Sequence, residues 1–523
     1  MKRISAAALA ITFVGLLLAK PAMLRADTAS GRDGGVLLVY DSLALGTTME
    51  GNVEALLRLL AAMGVPATLR QMERYDEDGD DLGAYKGIIA VRNDPELQSG
   101  YTRFAADLSR FPGMYLHVGP DMPAFFADQL RLETAISGPE SARLSVGPLR
   151  LANFAAGAER MTYIAKASGK AYGELLWPGS ERKAPFGIRE GGIGFVPAFR
   201  SGSASELAMA YVLKDWLGLS GEGKVYLLYK DIYPFSDLAL LAKTADTLYS
   251  AGIPFIYAVQ PVYMNLGFPA MQRYMAVLEY AQAHNGTLFA GAPVLSPVAG
   301  IQRDTLKEKT ALFLNVLAEN GLVPLGVGAD AGLYWSNGAS FAETGMEPFN
   351  AMVLYPSGNP ALLMHVGEPA CRTFADSLLS VRWDELGPYW DARKPVSLPV
   401  DLAMTFGFPA VEAEMEGAVR ELRDSWLPFA DYKAGRHETR TAEHAMASSD
   451  GILTVDGRQI SLRGNVSVDV DLEYQYRDLG QRSFERLFTV QNYFYMTMIV
   501  ASLVLFGVLM AVGYRLYKSK FLK

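Results

Sequence analysis

A single cysteine, Cys371, stands in 523 residues. One thiol excludes an internal disulfide framework and any cysteine-based zinc cluster. Basic charge is also short. Lys and Arg number 48 against 56 Asp and Glu, the net charge is −8, and no basic stripe crosses the body. That argues against nucleic acid as a partner. The loop Gly46-Thr47-Thr48, placed between a strand and a helix, lacks the glycine-rich surroundings of a phosphate cradle, so it reads first as a plain helix start. What is present is ordinary for a globular chain with a membrane segment: half the residues are apolar and a fifth charged. The length allows two or three domains with large cores, on which an exported chain without disulfides must rest.

The two ends carry apolar runs of different length. Lys2 and Arg3 precede an apolar stretch from Ala6 to Ala19. That is the length of a signal-peptide core, with cleavage expected after Ala26, although Leu24 is large for the cleavage pattern. An uncleaved anchor is the alternative. At the other end no charge falls between Val490 and Tyr514. Tyr493–Tyr514 as a helix spans about 33 Å, enough to cross a bilayer. Tyrosines and Phe494 mark its edges, and Arg515, Lys518, Lys520 and Lys523 follow at once. The positive-inside rule then puts residues 515–523 in the cytoplasm and the body outside it, in a single-pass cell-membrane protein.

Between the ends the pattern predicts an α/β protein. Residues 34–218 alternate buried strands (Val36–Tyr40, Ala67–Arg70, Gly87–Val91, Met114–Val118) with helices such as Asn52–Met63, then turn to short strands from Leu144 to Arg200 and close with a helix at Ser205–Leu217. The layout is similar to the class I glutamine-amidotransferase or flavodoxin-like architecture, but amidotransferase chemistry needs a cysteine and this half has none. The acidic run Asp76–Asp81 fails the calcium-loop pattern, with Asp81 at the glycine position and Gly87 where the bidentate Glu belongs, and reads as a solvated turn.

The unit that organises the rest is Lys224–Asn265: a strand at Lys224–Tyr229, a Pro-containing loop, an amphipathic helix at Leu238–Tyr249, Gly252 at its end, and a strand at Ile256–Val259. Two apolar strands joined by a helix form a parallel βαβ unit, whose functional groups belong at the C-terminal strand ends, here Lys230–Asp231 and Gln260–Tyr263. Helices at Ala270–His284 and Leu306–Asn320 and strands at Gly286–Gly291, Leu322–Val327, Met352–Tyr355 and Ala361–Val366 continue the alternation, predicting a β/α barrel over residues 222–430. Lys433–Ser449, with His437 and His444, reads as a solvated linker. Residues 450–480 predict a small juxtamembrane β-module. It combines a hairpin turning at Asp456-Gly457 with an alternating strand, Val466–Leu472, whose acidic face carries Asp469, Asp471 and Glu473.

The segments KVYLLYKDIYPFSD, TLYSAGIPFIYAVQPVYMN and YAQAHNGTLFAGAP resemble the polysaccharide deacetylase superfamily, over roughly Lys224–Val366. The resemblance implies a divalent metal held by an Asp and an H-x-x-x-H pair, a preceding Asp as general base, and Lewis-acid activation of water. Carried over, Asp231 stands at the metal ligand and Lys230 at the base, where a protonated amine cannot accept a proton. Ala290 and Val294 hold the two histidine positions, and His365 stands near the histidine that protonates the leaving amine. The implied chain is a degenerate deacetylase, without cofactor, that binds or guides a cell-surface polysaccharide, with Tyr233, Tyr263 and Gln260 on the substrate side. Two alternatives stay open: an active metal-dependent deacetylase, and a structural subunit of an envelope or polysaccharide-secretion complex with other envelope proteins as partners. At residue level, Asp231 either binds metal, caps the following helix or pairs with Lys230. Tyr229, Tyr233, Tyr257 and Tyr263 either stack on sugars or pack core edges.

Overall fold

Val36–Tyr40 (β1) is five apolar residues in a row, and every one is buried. A strand of that composition needs cover on both faces and so belongs inside a parallel sheet. In the computed structural model it does. The structure describes residues 35–94, 102–155, 160–262, 268–292, 303–332, 346–359, 361, 363, 376–391, 393, 397–460 and 479–521. β1 lies between β2 (Ala67–Gln71) and β3 (Gly87–Val91), followed by β4 (Met114–Val118) and β13 (Ile193–Val196), all five parallel. β12 (Gly187–Glu190) and β9 (Lys170–Tyr172) extend this sheet antiparallel to seven strands, in the order β2-β1-β3-β4-β13-β12-β9. The short strands expected from Leu144 onward are present, and several pair in separate antiparallel sheets: β6 (Ala142–Val146), β7 (Leu149–Ala155), β10 (Glu174–Leu176) and β11 (Lys183–Ala184) in one, β5 (Glu133–Ile136) and β8 (Thr162–Lys166) in another.

Helix α1 (Asn52–Ala62) carries its apolar residues on one face, yet Asn52 through Ala61 are all buried, the charged Glu54 and Arg58 included. It is covered on more than one side, packing against α3 (Ser203–Leu217) as well as a strand of the second half, β19 (Asp376–Arg382). The acidic run departs from the solvated turn expected. It begins inside α2 (Met72–Asp78), and Asp80 accepts the Tyr85 hydroxyl at 3.0 Å while lying 3.5 Å from the Arg70 guanidinium.

The second half closes into a barrel of seven parallel strands: β14 (Val225–Ile232), β15 (Phe255–Val259), β16 (Gly286–Gly291), β17 (Pro324–Asp330), β18 (Ala351–Tyr355), β19 and β20 (Leu402–Gly407), with β20 pairing back to β14. The organising βαβ unit is as the sequence predicts. Its helix α4 (Leu238–Ser250) is capped by Asp237, which accepts the Leu240 amide at 3.0 Å. It stops at Gly252, whose φ of 70° lets the Ile253 amide return to the Leu248 carbonyl at 3.0 Å. The fully buried Leu227, Leu228, Leu241 and Leu248 each contribute about 1.5–3 kcal/mol by leaving water. α5 (Pro269–Ala283), α6 (Arg303–Glu319) and α7 (Glu412–Asp424) are the other long helices described in this half.

The stretch expected to be a solvated linker is instead structured and partly buried. β21 (His437–Arg440), β22 (Ala445–Ser449), β23 (Ile452–Val455) and β24 (Arg458–Gln459) form an antiparallel sheet, with the hairpin at Asp456-Gly457 as expected. Its polar residues mislead because they are tied down. Buried Lys433 donates to Asn285 Oδ1 at 2.8 Å and to Asp431 Oδ1 at 2.9 Å, and burial pushes its pKa down. His437 stacks on Tyr432 at 3.8 Å, and His444 pairs with Asp456 at 2.8 Å. Phe349 bridges to Thr439, and the Ala430 amide bonds to Val225. Asn285, Phe349 and Val225 stand at the beginnings of β16, β18 and β14, so this segment covers the N-terminal end of the barrel. The Tyr432 ring packs edge-on against Tyr226 and Phe289. The acidic strand Val466–Leu472 lies outside the described residues, as do residues 1–34 with the expected signal peptide.

From Asp469 onward the chain forms a separate unit. Its described element is one helix, α8 (Leu479–Phe521), in which Tyr495–Arg515 is long and apolar enough to cross a membrane and is not buried.

Candidate functional site

The C-terminal ends of the barrel strands form the mouth opposite the covered end. Val225–Tyr229 is buried, and the register of β14 against β15 then slips between Tyr229 and Ile232. Asp231 takes a φ of 64°, in the left-handed region. Asp tolerates that conformation better than most residues, though it still costs about 1–2 kcal/mol. A bulge of this kind re-aims side chains at a barrel rim. Here Lys230 Nζ sits 3.2 Å from Asp231 Oδ2 and 5.6 Å over the Tyr355 ring.

The β14–α4 loop is held by two reciprocal bonds: the Tyr233 amide to Ser236 Oγ and the Ser236 amide to the Tyr233 carbonyl, each 3.0 Å. The turn brings Tyr233 and Phe235 face to face, centroids 4.8 Å apart and planes 15° apart. Phe235 is 70% exposed, so one ring face rests on Tyr233 while the side chain as a whole stays largely in water. Gln260 follows β15, its amide bonded to the Ile232 carbonyl at 2.8 Å. Its side chain lies against Gly291 of β16, where a Cβ would come within 2.7 Å of Gln260 Oε1. Gly328 of β17 likewise leaves room for the Tyr355 hydroxyl of β18. That hydroxyl is buried with no hydrogen-bond partner among the described residues. Its pKa is raised, first by burial and then by the Asp231 charge.

Gly328→Ala should force the Tyr355 ring aside and cost about 1–3 kcal/mol as an overpacked site. A thermal melt of the variant checks this; an unchanged midpoint would show that the ring moves freely.

Several expected site residues therefore meet here: Lys230, Asp231, Tyr233 and Gln260. His365 and Tyr263 lie outside the described residues. Tyr229 and Tyr257 are 1% and 0% exposed and meet edge to face inside the barrel wall, so they pack the core and stack on no ligand. Asp231 does not cap the helix, since Asp237 does; it pairs with Lys230.

A divalent cation does not fit the residues present. The Lys230 ammonium already holds the Asp231 carboxylate and would repel a cation there, and Ala290 is a buried apolar residue of β16. Among the described residues no three His, Cys, Asp or Glu side chains are grouped to hold a metal. Sequence reasoning missed Phe235 and Tyr355. Phe235 was legible as a second aromatic in the same Pro-containing loop, whereas Tyr355 gains meaning only when β18 is placed in the barrel.

No protein-family model matches the chain, and no curated protein matches it. A solved beta-arabinopyranosidase structure is similar over 60% of this chain, at 10% identity and a TM-score of 0.24, and the chain spans 60% of that protein's length. A likeness that low carries no argument about this chain.

Proposed function

We propose that the chain is a membrane-anchored protein, its body outside the cytoplasm, whose deacetylase-like barrel binds or guides a cell-surface polysaccharide without hydrolysing it. The observation that carries this reading is the Tyr233–Phe235 stack, exposed beside polar groups at the barrel mouth. A flat aromatic face suits the apolar C–H face of a pyranose, and Gln260, Lys230 and Asp231 supply the donors and acceptors that hydroxyl groups need. Lys230 in place of a general base supports binding over turnover, because its ammonium has no lone pair to accept a proton. The exposed apolar helix, followed by Arg515 and Lys518, supports the anchoring and its direction.

The test is glycan binding by the full-length protein in detergent, using acetylated and deacetylated amino-sugar oligomers and a neutral glucan as probes. Phe235→Ala should weaken the best probe about three- to tenfold, the worth of one aromatic contact, with the melting temperature unchanged because the ring is exposed. Equal affinity in the variant would overturn the reading. So would acetyl release by the wild type that Asp231→Ala abolishes.

A further inference from the structure

The parallel sheet of the first half has a crevice of its own. After β1 the chain turns through α1 to β2 on one side, and after β2 it crosses to β3 on the other. In open α/β sheets the reversal of strand order leaves a cleft outside the carboxyl ends of the strands, and ligands bind there. A cavity of about 150 Å³ occupies that position, lined from the loops after β1, β3, β4 and β13 and from the start of β8. That is about the volume that accepts one six-membered ring.

Its wall carries three guanidinium groups, Arg92, Arg160 and Arg200, and no carboxylate. Arg92 lies 3.5 Å from the buried Asp41, which also accepts the Asn93 and Asp94 amides at 2.8 and 3.2 Å. One acid thus offsets one of three cations. Arg200 is oriented over the Phe154 ring, 5.6 Å from its centroid, and Arg160 is exposed at the surface end. Another part of the wall is rigid. Asn52 and Asn93 exchange amide bonds at 2.6 and 3.1 Å, and Asn93 also donates to the Ser42 carbonyl at 2.7 Å. Fixed walls and converging guanidiniums in a concave site are what an oxyanion requires, because Arg donors match carboxylate and phosphate oxygens two at a time.

We infer that this crevice binds a small organic oxyanion of about one ring in size, a carboxylate or a phosphate monoester. The site is separate from the barrel mouth and does not rest on the polysaccharide reading.

The experiment is calorimetric titration of the full-length protein in detergent with glucuronate, glucose 6-phosphate and uncharged glucose. At least one anion should bind tenfold or more tightly than glucose, and which one does distinguishes carboxylate from phosphate. Arg160→Gln should weaken that anion about tenfold or more, the loss of one charge-assisted contact, and Arg160→Gln/Arg200→Gln should weaken it further. Phe235→Ala should leave it unchanged. Arg160 is exposed, so its single variant keeps the fold and the test stands even if the double variant does not. Anions that bind no tighter than glucose would overturn the inference, as would undiminished binding in a folded Arg160→Gln variant.

Discussion

Replacing Arg58 with methionine should destabilise the protein by about 3–5 kcal/mol, the cost of stranding a buried charge partner. Arg58 is 2% exposed, with Nε 2.9 Å from Glu54 Oε1 and its terminal nitrogens 2.6 and 3.2 Å from the two Glu206 oxygens. Glu206 also accepts the Gly202 amide at 3.1 Å, and Glu54 accepts the Ser357 amide, two residues past Tyr355, at 3.1 Å. Burial already pushes the Glu54 pKa up even with Arg58 beside it. Without the guanidinium, two carboxylates remain buried and repel each other. Their folded pKa values then rise well above the unfolded ones, so the folded state binds more protons and the deficit shrinks as pH falls from neutrality. Urea midpoints of the wild type and Arg58→Met at neutral and mildly acidic pH measure both effects. The triple variant Glu54→Gln, Arg58→Met, Glu206→Gln should recover most of the loss. A single variant within 0.5 kcal/mol of wild type would refute the account.

The second large effect is acid sensitivity centred on His117. The ring is buried in β4, with Nδ1 2.8 Å from the Tyr115 hydroxyl and Nε2 2.9 Å from the Pro120 carbonyl. A carbonyl only accepts, which puts the proton on Nε2 and makes Nδ1 the acceptor from Tyr115. Burial pushes the pKa down to about 4, against 6.5 in the unfolded chain. The unfolded state therefore binds the proton first. Stability from the neutral ring is whole above pH 6.5, falls as pH drops toward 4, and loses nothing more below that. The gap is worth about 3 kcal/mol. His117→Gln keeps both bonds without a titrating group, so its urea midpoints should decline less between pH 7 and 4 than those of the wild type. Parallel declines in the two proteins would assign the sensitivity elsewhere.

What could be read from residues alone follows from where their partners lie. β1, β3 and the βαβ unit around α4 were legible because a fully buried parallel strand is an unbroken apolar run and an amphipathic helix repeats within a few residues. The insertion of β13 beside β4 was not, since Ile193–Val196 is short and joins a sheet whose other parallel strands end at Val118. His437 and Lys433 read as solvated because polarity in sequence does not show that Tyr432 and Asn285 will enclose them. At the mouth, Lys230, Asp231 and Gln260 were found because strand ends are predictable once the strands are. Arg92, Arg160 and Arg200 were invisible as a group, for each stands alone in its own segment and only the folded sheet brings them to one cavity.

The sheet closing the far end of the barrel has a consequence for any polymer that meets this protein. With Tyr432 seated against Tyr226 and Phe289 at the floor, the barrel is a blind cup. A glycan chain cannot thread through it. It must be gripped along its flank or by its terminus, and it leaves by the opening through which it came.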